Sequence, residues 1–139
     1  MPQPAEVDQN EENTARYLNL LRKHREFDRI SVGKLHRAGV PILVGTDFGN
    51  PGTFVGYSLH VEMQLLEEAG LDPMTVLQGA TSKAAEFLGA QRGYAVGSRA
   101  DFVILDKSPL ENLAHTKSIS AVMLQGQLLD RRQLLPWQR

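Results

Sequence analysis

One short apolar segment limits the folds that this chain can adopt. Residues 40–44 form a run of five apolar residues, three of them β-branched, and a glycine stands on each side. A run of this length and composition is typical of a strand that is buried on both faces of a parallel sheet. A helical pattern from Glu11 to about Ala38 precedes the run, and a glycine-rich loop from Gly45 to Gly56 follows it. The pattern predicts an α/β fold built on a helix–strand–loop unit.

Further helices and strands are predicted after the loop. Glycines and capping residues divide the next stretch into three short helices, with Ser58, Asp72 and Thr81 as the expected N-caps. Towards the C-terminus the apolar pattern becomes extended, with a turn over residues 125–127. The predicted helices are Ser58 to Ala69, Pro73 to about Gly79 and Ser82 to Leu88, and the predicted strands are Phe102 to Leu105 and Ile119 to Leu124.

Composition excludes several classes of function. The chain has 139 residues, with 15 basic and 16 acidic side chains, so its net charge of −1 gives no general attraction to nucleic acid or to anionic membranes. No apolar run approaches the roughly 20 residues of a membrane span. The absence of cysteine excludes disulfides and thiolate metal sites. It is compatible with a reducing compartment such as the cytoplasm and does not establish one.

Asp47 is the first candidate for chemistry. It follows the predicted strand directly and opens the glycine-rich loop. In α/β folds the C-terminal end of a parallel strand is where catalytic side chains are presented. A carboxylate there could bind a metal or act as a general base. The alternative, which carries equal weight on these residues, is an aspartate that hydrogen-bonds its own loop.

His60 is the second candidate. It lies in the first turn of the helix after the loop, with Glu62 two residues on, so it could face the same cavity as Asp47. A packed or capping histidine is the alternative. The other three histidines have no neighbour at metal-ligand spacing, and a structural or solvent-exposed role is expected for each. They are His24, His36 and His115.

Three sequence blocks in order resemble a known family. The first runs from Leu35 to Asp47, the second from Gly56 to Gly89, and the third from Gly93 to Gly126. Together they are similar to the C-terminal third of the metal-dependent amidohydrolase superfamily, in particular its imidazolonepropionase-like and X-Pro or X-Arg dipeptidase-like members. The similarity covers about residues 30–130.

The resemblance implies a fold and an activity. The fold would be a C-terminal fragment of a TIM-barrel amidohydrolase, with residues 1–92 from the barrel and residues 93–139 as strands of a small β-sandwich. The activity would be hydrolysis of amide, peptide-like or cyclic amide C–N bonds in a small or dipeptide-like substrate, by water activated on a divalent metal, often zinc. Asp47 would ligate the metal and transfer the proton, and His60 would line the substrate pocket.

The chain also departs from the family pattern. A complete eight-stranded barrel needs about 250 residues, and the family's other metal ligands have no counterpart in this sequence. One carboxylate cannot hold a catalytic zinc, which takes about three protein ligands. We therefore expect the isolated chain to bind no metal stably, to be inactive, and to form homo-oligomers through open strand edges. The alternative is a stand-alone interaction module that pairs those edges with a partner or with itself.

Overall fold

Helices occupy the first part of the chain and strands the second. The computed structural model describes residues 9–90 and 95–130, so the predicted domain boundary between residues 92 and 93 lies outside the described residues. The mixture of helix and strand agrees with the predicted α/β class. The helices are α1 (Gln9–Arg37), α2 (Tyr57–Glu68), α3 (Pro73–Ala80) and α4 (Ser82–Phe87), and they are followed by β1 (Phe102–Leu105), a 3₁₀ helix (Leu113–Lys117), β2 (Ile119–Leu124) and β3 (Gln127–Leu129).

The core surrounds α2, which contacts α1, α3 and the 3₁₀ helix. Leu113 of the 3₁₀ helix is fully buried, so the strand half of the chain shares one core with the helical half. A side chain on Gly33 of α1 would place its Cβ 2.5 Å from the carbonyl oxygen of Ala69, and the close packing of α1 beside α2 therefore depends on that glycine. The buried apolar residues are Met63, Leu66, Ala69, Leu71, Val76 and Leu113.

Only the C-terminal part of α1 packs against this core. Arg25 forms an ion pair with Glu68 at the end of α2, at 2.8 Å. Further towards the N-terminus, large apolar side chains stay in solvent, including Tyr17 at 60% exposure and Leu20 at 50%. None of the helices in residues 9–90 and 95–130 combines the length and the apolar character that a membrane span requires.

Capping side chains explain where one helix begins, and the structure corrects one of the three predicted N-caps. The Asp72 carboxylate accepts a hydrogen bond from the backbone amide of Thr75 at 3.1 Å, so this predicted N-cap of α3 is confirmed. Thr81 occupies the N-cap position of α4 as predicted but makes no side-chain cap bond, whereas Gly56, not Ser58, is the N-cap of α2. The two hydroxyls bond backwards instead, Ser58 accepting from the amide of Phe54 and Thr81 donating to the carbonyl of Leu77. A serine or threonine hydroxyl can either cap the helix that follows or bond a backbone group earlier in the chain, and the local sequence does not distinguish these two possibilities.

The three strands form one antiparallel sheet in the order β1-β2-β3. The predicted strands 102–105 and 119–124 are confirmed at both ends. The turn predicted over residues 125–127 is shorter than expected, because Gln125 and Gly126 both take positive φ values of 53° and 78° and make a two-residue hairpin. Residue 127 therefore already belongs to β3, which pairs Leu129 with Val122.

The buried strand predicted over residues 40–44 is not formed. Within the described residues this segment pairs with no strand, and Val40 is 43% exposed. Its ordered contact is with α3 instead, where the amide of Val44 donates to the carbonyl of Gly79 at 3.2 Å. A strand needs ladder partners on a neighbouring segment, which the residues of the segment itself do not supply. Residues 42–44 are partly buried, whereas Val40 and Pro41 are exposed.

The contact between α3 and this segment yields a test of the fold. A Cβ on Gly79 would lie 2.7 Å from the carbonyl oxygen of Ile42, so Gly79→Ala must displace backbone. Overpacking of this kind costs about 1–3 kcal/mol, more than the roughly 1 kcal/mol that alanine gains over glycine in a helix. Chemical denaturation should therefore show a net loss of stability. Gly45→Ala is the matched control, because nothing lies within 4 Å of its Cβ position; equal stability of the two variants would contradict this packing.

Candidate active site

Asp47 follows the extended segment 40–44, which two helices hold in place. From α3, the carbonyl of Gly79 accepts the amide hydrogen of Val44 at 3.2 Å. From α2, the Glu62 carboxylate accepts the amide hydrogen of Gly45 at 3.0 Å. The backbone is thus fixed two and three residues before Asp47. These bonds give the aspartate a defined position although no sheet surrounds it in the described part of the chain.

The side chain of Asp47 is bonded within its own loop. Its backbone has a φ of +47°, in the left-handed region that few residues other than glycine adopt. The side-chain amide of Asn50 donates to Oδ2 of Asp47 at 2.5 Å and to its carbonyl oxygen at 3.2 Å. Asp47 is exposed, and within the described residues no hydrogen bond reaches Oδ1. The hydrogen bonds within the loop thus engage Oδ2 of Asp47, and Oδ1 can bind a ligand.

The glycine-rich loop ends where α2 begins. Gly56 immediately before the helix has φ 75° and ψ −53°, a conformation that a side chain would disfavour. The Ser58 hydroxyl accepts the amide hydrogen of Phe54 at 2.8 Å and ties the end of the loop to the first turn. This start places His60 in the first turn of α2, as the sequence predicts.

His60 faces the 3₁₀ helix. Its Nδ1 lies 2.8 Å from the hydroxyl oxygen of Thr116, and the contact fits the alternative of a packed histidine. Burial, and after it the positive charge of Lys117, lowers the pKa of His60 below its ordinary value of 6.5. The Lys117 ammonium itself lies 5.2 Å from the centre of the Tyr57 ring. Both effects favour the neutral form of the His60 imidazole.

His60 and Glu62 lie on different sides of α2 and have different hydrogen-bond partners. His60 and Glu62 are two residues apart, which on a helix is a rotation of about 200°. Glu62 contacts Gly45, beside Asp47, whereas His60 contacts Thr116. Among the described residues no hydrogen bond or ion pair joins Asp47 to His60. Glu62, rather than His60, hydrogen-bonds the backbone at Gly45, two residues before Asp47.

Two residues of this region were not identified from the sequence. Asn50, which holds Asp47, stands three residues after it and before a proline in a glycine-rich stretch. Asparagine side chains commonly bond the backbone of such turns, so this signal was present locally. Thr116 lies 56 positions from His60. No local pattern points to it, because only the folded chain brings the two together.

The described residues alone do not fit a resident metal. Within residues 9–90 and 95–130 there is no group of three or more His, Asp or Glu side chains that could hold a metal ion. A catalytic zinc takes about three protein ligands and an open position. Asp47 can supply one oxygen ligand, and its neighbour Asn50 is a hydrogen-bond donor to it.

Comparison with known families gives a match over most of the chain. A family model described as the amidohydrolase family matches residues 11–129. Imidazolonepropionase of Chromobacterium violaceum is 38% identical over 99 residues, which are 68% of this chain and 24% of that protein. Imidazolonepropionase of Deinococcus deserti is 39% identical over 92 residues, covering 64% of this chain and 23% of that protein. The chain thus spans about a quarter of the length of the curated relatives it matches.

A solved structure shares the fold of the described residues. It belongs to a study of the structural and catalytic characterization of molinate hydrolase, and it superposes with a TM-score of 0.63 at 27% sequence identity. The superposition covers 74% of this chain and 26% of that one. The structural and the sequence comparisons agree in how much of the larger proteins this chain represents.

The environment of His60 predicts a pH dependence of stability. Because its pKa is lower in the folded chain than in the unfolded chain, the unfolded state binds more protons once the pH falls below 6.5. This contribution to the unfolding free energy is constant well above pH 6.5 and is lost as the pH falls from that value through the lower pKa of the folded chain. Denaturant titrations between about pH 8 and pH 5.5 should show the decline. His60→Asn keeps a side-chain donor for Thr116 and removes the titration, so its profile should be flatter; profiles of equal slope would refute this assignment.

Proposed function

The chain belongs to the amidohydrolase family, and from this premise we propose that it is the C-terminal part of a hydrolase acting on carbon–nitrogen bonds. The order of its elements supports the proposal. In this proposal helix α1, the segment 40–44 and Asp47 would be the last helix–strand unit of a TIM barrel, and strands β1 to β3 would be part of an adjoining β-sandwich. The match to about a quarter of the imidazolonepropionases is consistent with this assignment.

Asp47 is proposed as the catalytic and metal-binding residue of this part. The observation that carries the proposal is its anchored position: hydrogen bonds from α2 and α3 fix the backbone just before it, and its side chain is exposed. Catalytic residues of barrel enzymes stand at the C-terminal ends of strands, and in a complete barrel the segment 40–44 would be such a strand. Asn50 holds one carboxylate oxygen, and a hydrogen-bonded ligating carboxylate is a common feature of metal sites.

The metal, proposed as a divalent ion such as zinc, would require ligands beyond the described residues. Asp47 contributes one oxygen, and a catalytic zinc site takes about three protein ligands. We therefore assign the ion to the complete enzyme and expect no stable metal binding by this chain alone.

His60 is proposed to line the substrate pocket. It lies directly after the loop that Asp47 opens, and it is only partly buried, so part of the imidazole can contact a ligand. A small-molecule or dipeptide-like substrate is the proposed ligand class. No nucleic-acid or membrane partner is proposed, given the balanced charge of the chain.

Self-association is a second candidate function, and two observations favour it. Helix α1 exposes large apolar side chains along much of its length, among them Tyr17, Leu20 and Phe27. Contiguous exposed apolar surface on a soluble domain commonly marks an interaction site. The sheet formed by β1, β2 and β3 is open, so its outer edges can pair with further strands. We propose homo-oligomers as the form of the isolated chain.

The role of Asp47 can be tested by substitution in a polypeptide that carries this chain as its C-terminal part. Asp47→Asn keeps the size of the side chain and tolerates the positive φ, which asparagine adopts more readily than most residues. Turnover should fall by more than about a hundredfold, beyond the effect of losing an outer-shell partner. Melting temperature should change little. Asn50→Ala is the matched comparison and should reduce turnover less; an active Asp47→Asn enzyme would exclude Asp47 from catalysis.

The isolated chain provides a second test. Metal analysis should find no stoichiometric metal, amidase assays should find no hydrolysis, and light scattering should find a mass above 15.4 kDa that rises with concentration. Replacing exposed Leu20 and Phe27 together by serine should lower the mass, because it removes apolar surface from α1. A monomer with bound zinc and turnover would overturn the proposal that this chain is inactive on its own.

A further inference from the structure

Three groups form a short hydrogen-bonded series between α2 and the 3₁₀ helix. The side chain of Thr116 is buried, at 6% exposure. Its hydroxyl oxygen lies 2.7 Å from the carbonyl oxygen of Leu113 and 2.8 Å from Nδ1 of His60. Both distances are within the ordinary range for hydrogen bonds. Thr116 is therefore the central member of the series and contacts both of the other groups.

The number of hydrogens in the series decides its direction. A carbonyl oxygen can only accept, and a threonine hydroxyl has one hydrogen to donate. That hydrogen must go to Leu113, because two oxygen atoms 2.7 Å apart with no hydrogen between them would repel each other. The hydroxyl oxygen then acts as an acceptor towards His60. Nδ1 of His60 must consequently carry a hydrogen of its own.

We propose that Thr116 is a positioning residue that holds His60 as the Nδ1–H tautomer and so fixes Nε2 as a hydrogen-bond acceptor. A neutral imidazole has one N–H, so a hydrogen on Nδ1 leaves a lone pair on Nε2. The lowered pKa of His60, caused by burial and then by Lys117, keeps the ring neutral and is consistent with this arrangement. Partners that set the tautomer of a functional histidine through its other nitrogen are common in enzyme sites.

The tautomer determines what kind of ligand group His60 can bind. This step rests on the proposed function, in which His60 lines the substrate pocket. As an acceptor, Nε2 takes an N–H or O–H group, such as the N–H of an amide, and it does not stabilise a carboxylate or carbonyl oxygen. The series would then select substrates that present a donor to α2, and Thr116 would contribute to this selection without touching the substrate.

The tautomer can be measured on the chain itself, independently of activity. Long-range ¹H–¹⁵N spectra of the uniformly labelled protein, recorded above the ordinary pKa of histidine, distinguish a protonated from an unprotonated ring nitrogen. For His60, identified by its loss in His60→Asn, we expect a protonated Nδ1 and an unprotonated Nε2. A protonated Nε2 in the native chain would overturn the proposal.

Two substitutions of Thr116 separate positioning from packing. Thr116→Ser keeps the hydroxyl and should keep the Nδ1–H form. Thr116→Val has nearly the same shape without the acceptor, and the tautomer ratio should move towards Nε2–H by roughly fivefold, the effect of one net hydrogen bond. An unchanged ratio in Thr116→Val would remove Thr116 from the role. If the valine variant does not fold, Thr116→Ala supplies the same comparison.

A separate experiment tests whether His60 lines the substrate pocket, and its result does not depend on whether Thr116 sets the tautomer. In a polypeptide that carries this chain in a complete hydrolase, His60→Asn keeps a donor for Thr116 and lacks the Nε2 acceptor. Reduced turnover at native stability supports the extension to substrate binding. Native turnover together with the Nδ1–H tautomer in the wild-type chain would reject the pocket role of His60 and leave the positioning by Thr116 intact.

Discussion

The position of Asp47 depends on a backbone contact between the end of α3 and the extended segment 40–44. The last carbonyl groups of a helix have no partner inside the helix, and the amide of Val44 has no strand partner in the described part of the chain. A single hydrogen bond from the amide of Val44 to the carbonyl of Gly79 satisfies both groups. The segment can come this close because Gly79 has no side chain to collide with the carbonyl of Ile42. The end of α3 thus supplies this segment with a backbone hydrogen-bond acceptor, as a neighbouring strand would in a sheet. Glu62 adds a second bond at Gly45, directly after the segment.

Elements with local signals could be predicted from the sequence. Helix α3 begins at Asp72–Pro73, where a cap and a proline coincide, and strands β1 and β2 have short, β-branched sequences. The strand predicted over residues 40–44 failed although its composition is equally typical, because a strand requires a partner elsewhere in the chain. β3 was missed for a related reason. The turn was expected to include residue 127, but only Gln125 and Gly126 form it. Residue 127 is therefore the first of the three residues of β3.

The candidate site likewise contains residues that a local sequence signal indicates and a contact that no local signal indicates. The prominence of Asp47 follows from its place between an apolar run and a glycine-rich loop, and Asn50 could have been found from the turn chemistry around it. The order of the three sequence blocks was enough to indicate the amidohydrolase family, which the match over residues 11–129 confirms. The contact of His60 with Thr116 had no such signal, because it forms between residues 56 positions apart. The cavity expected to be shared by His60 and Asp47 stays a prediction, since the hydrogen bonds of the described residues show only that His60 contacts Thr116 and that Asp47 contacts Asn50.

The orientation of helix α2 about its own axis determines both the contact of His60 with Thr116 and the contact of Glu62 with Gly45. With about 100° per residue, its buried residues Met63 and Leu66 lie between the side that carries His60 and the side that carries Glu62. The buried stripe fixes the rotation, and the rotation fixes both contacts at once. Turning α2 to bring His60 further from Thr116 would also move Glu62 relative to Gly45. The segment before Asp47 and the 3₁₀ helix are therefore held in one arrangement by the packing of a single helix, and changes in that packing act on both.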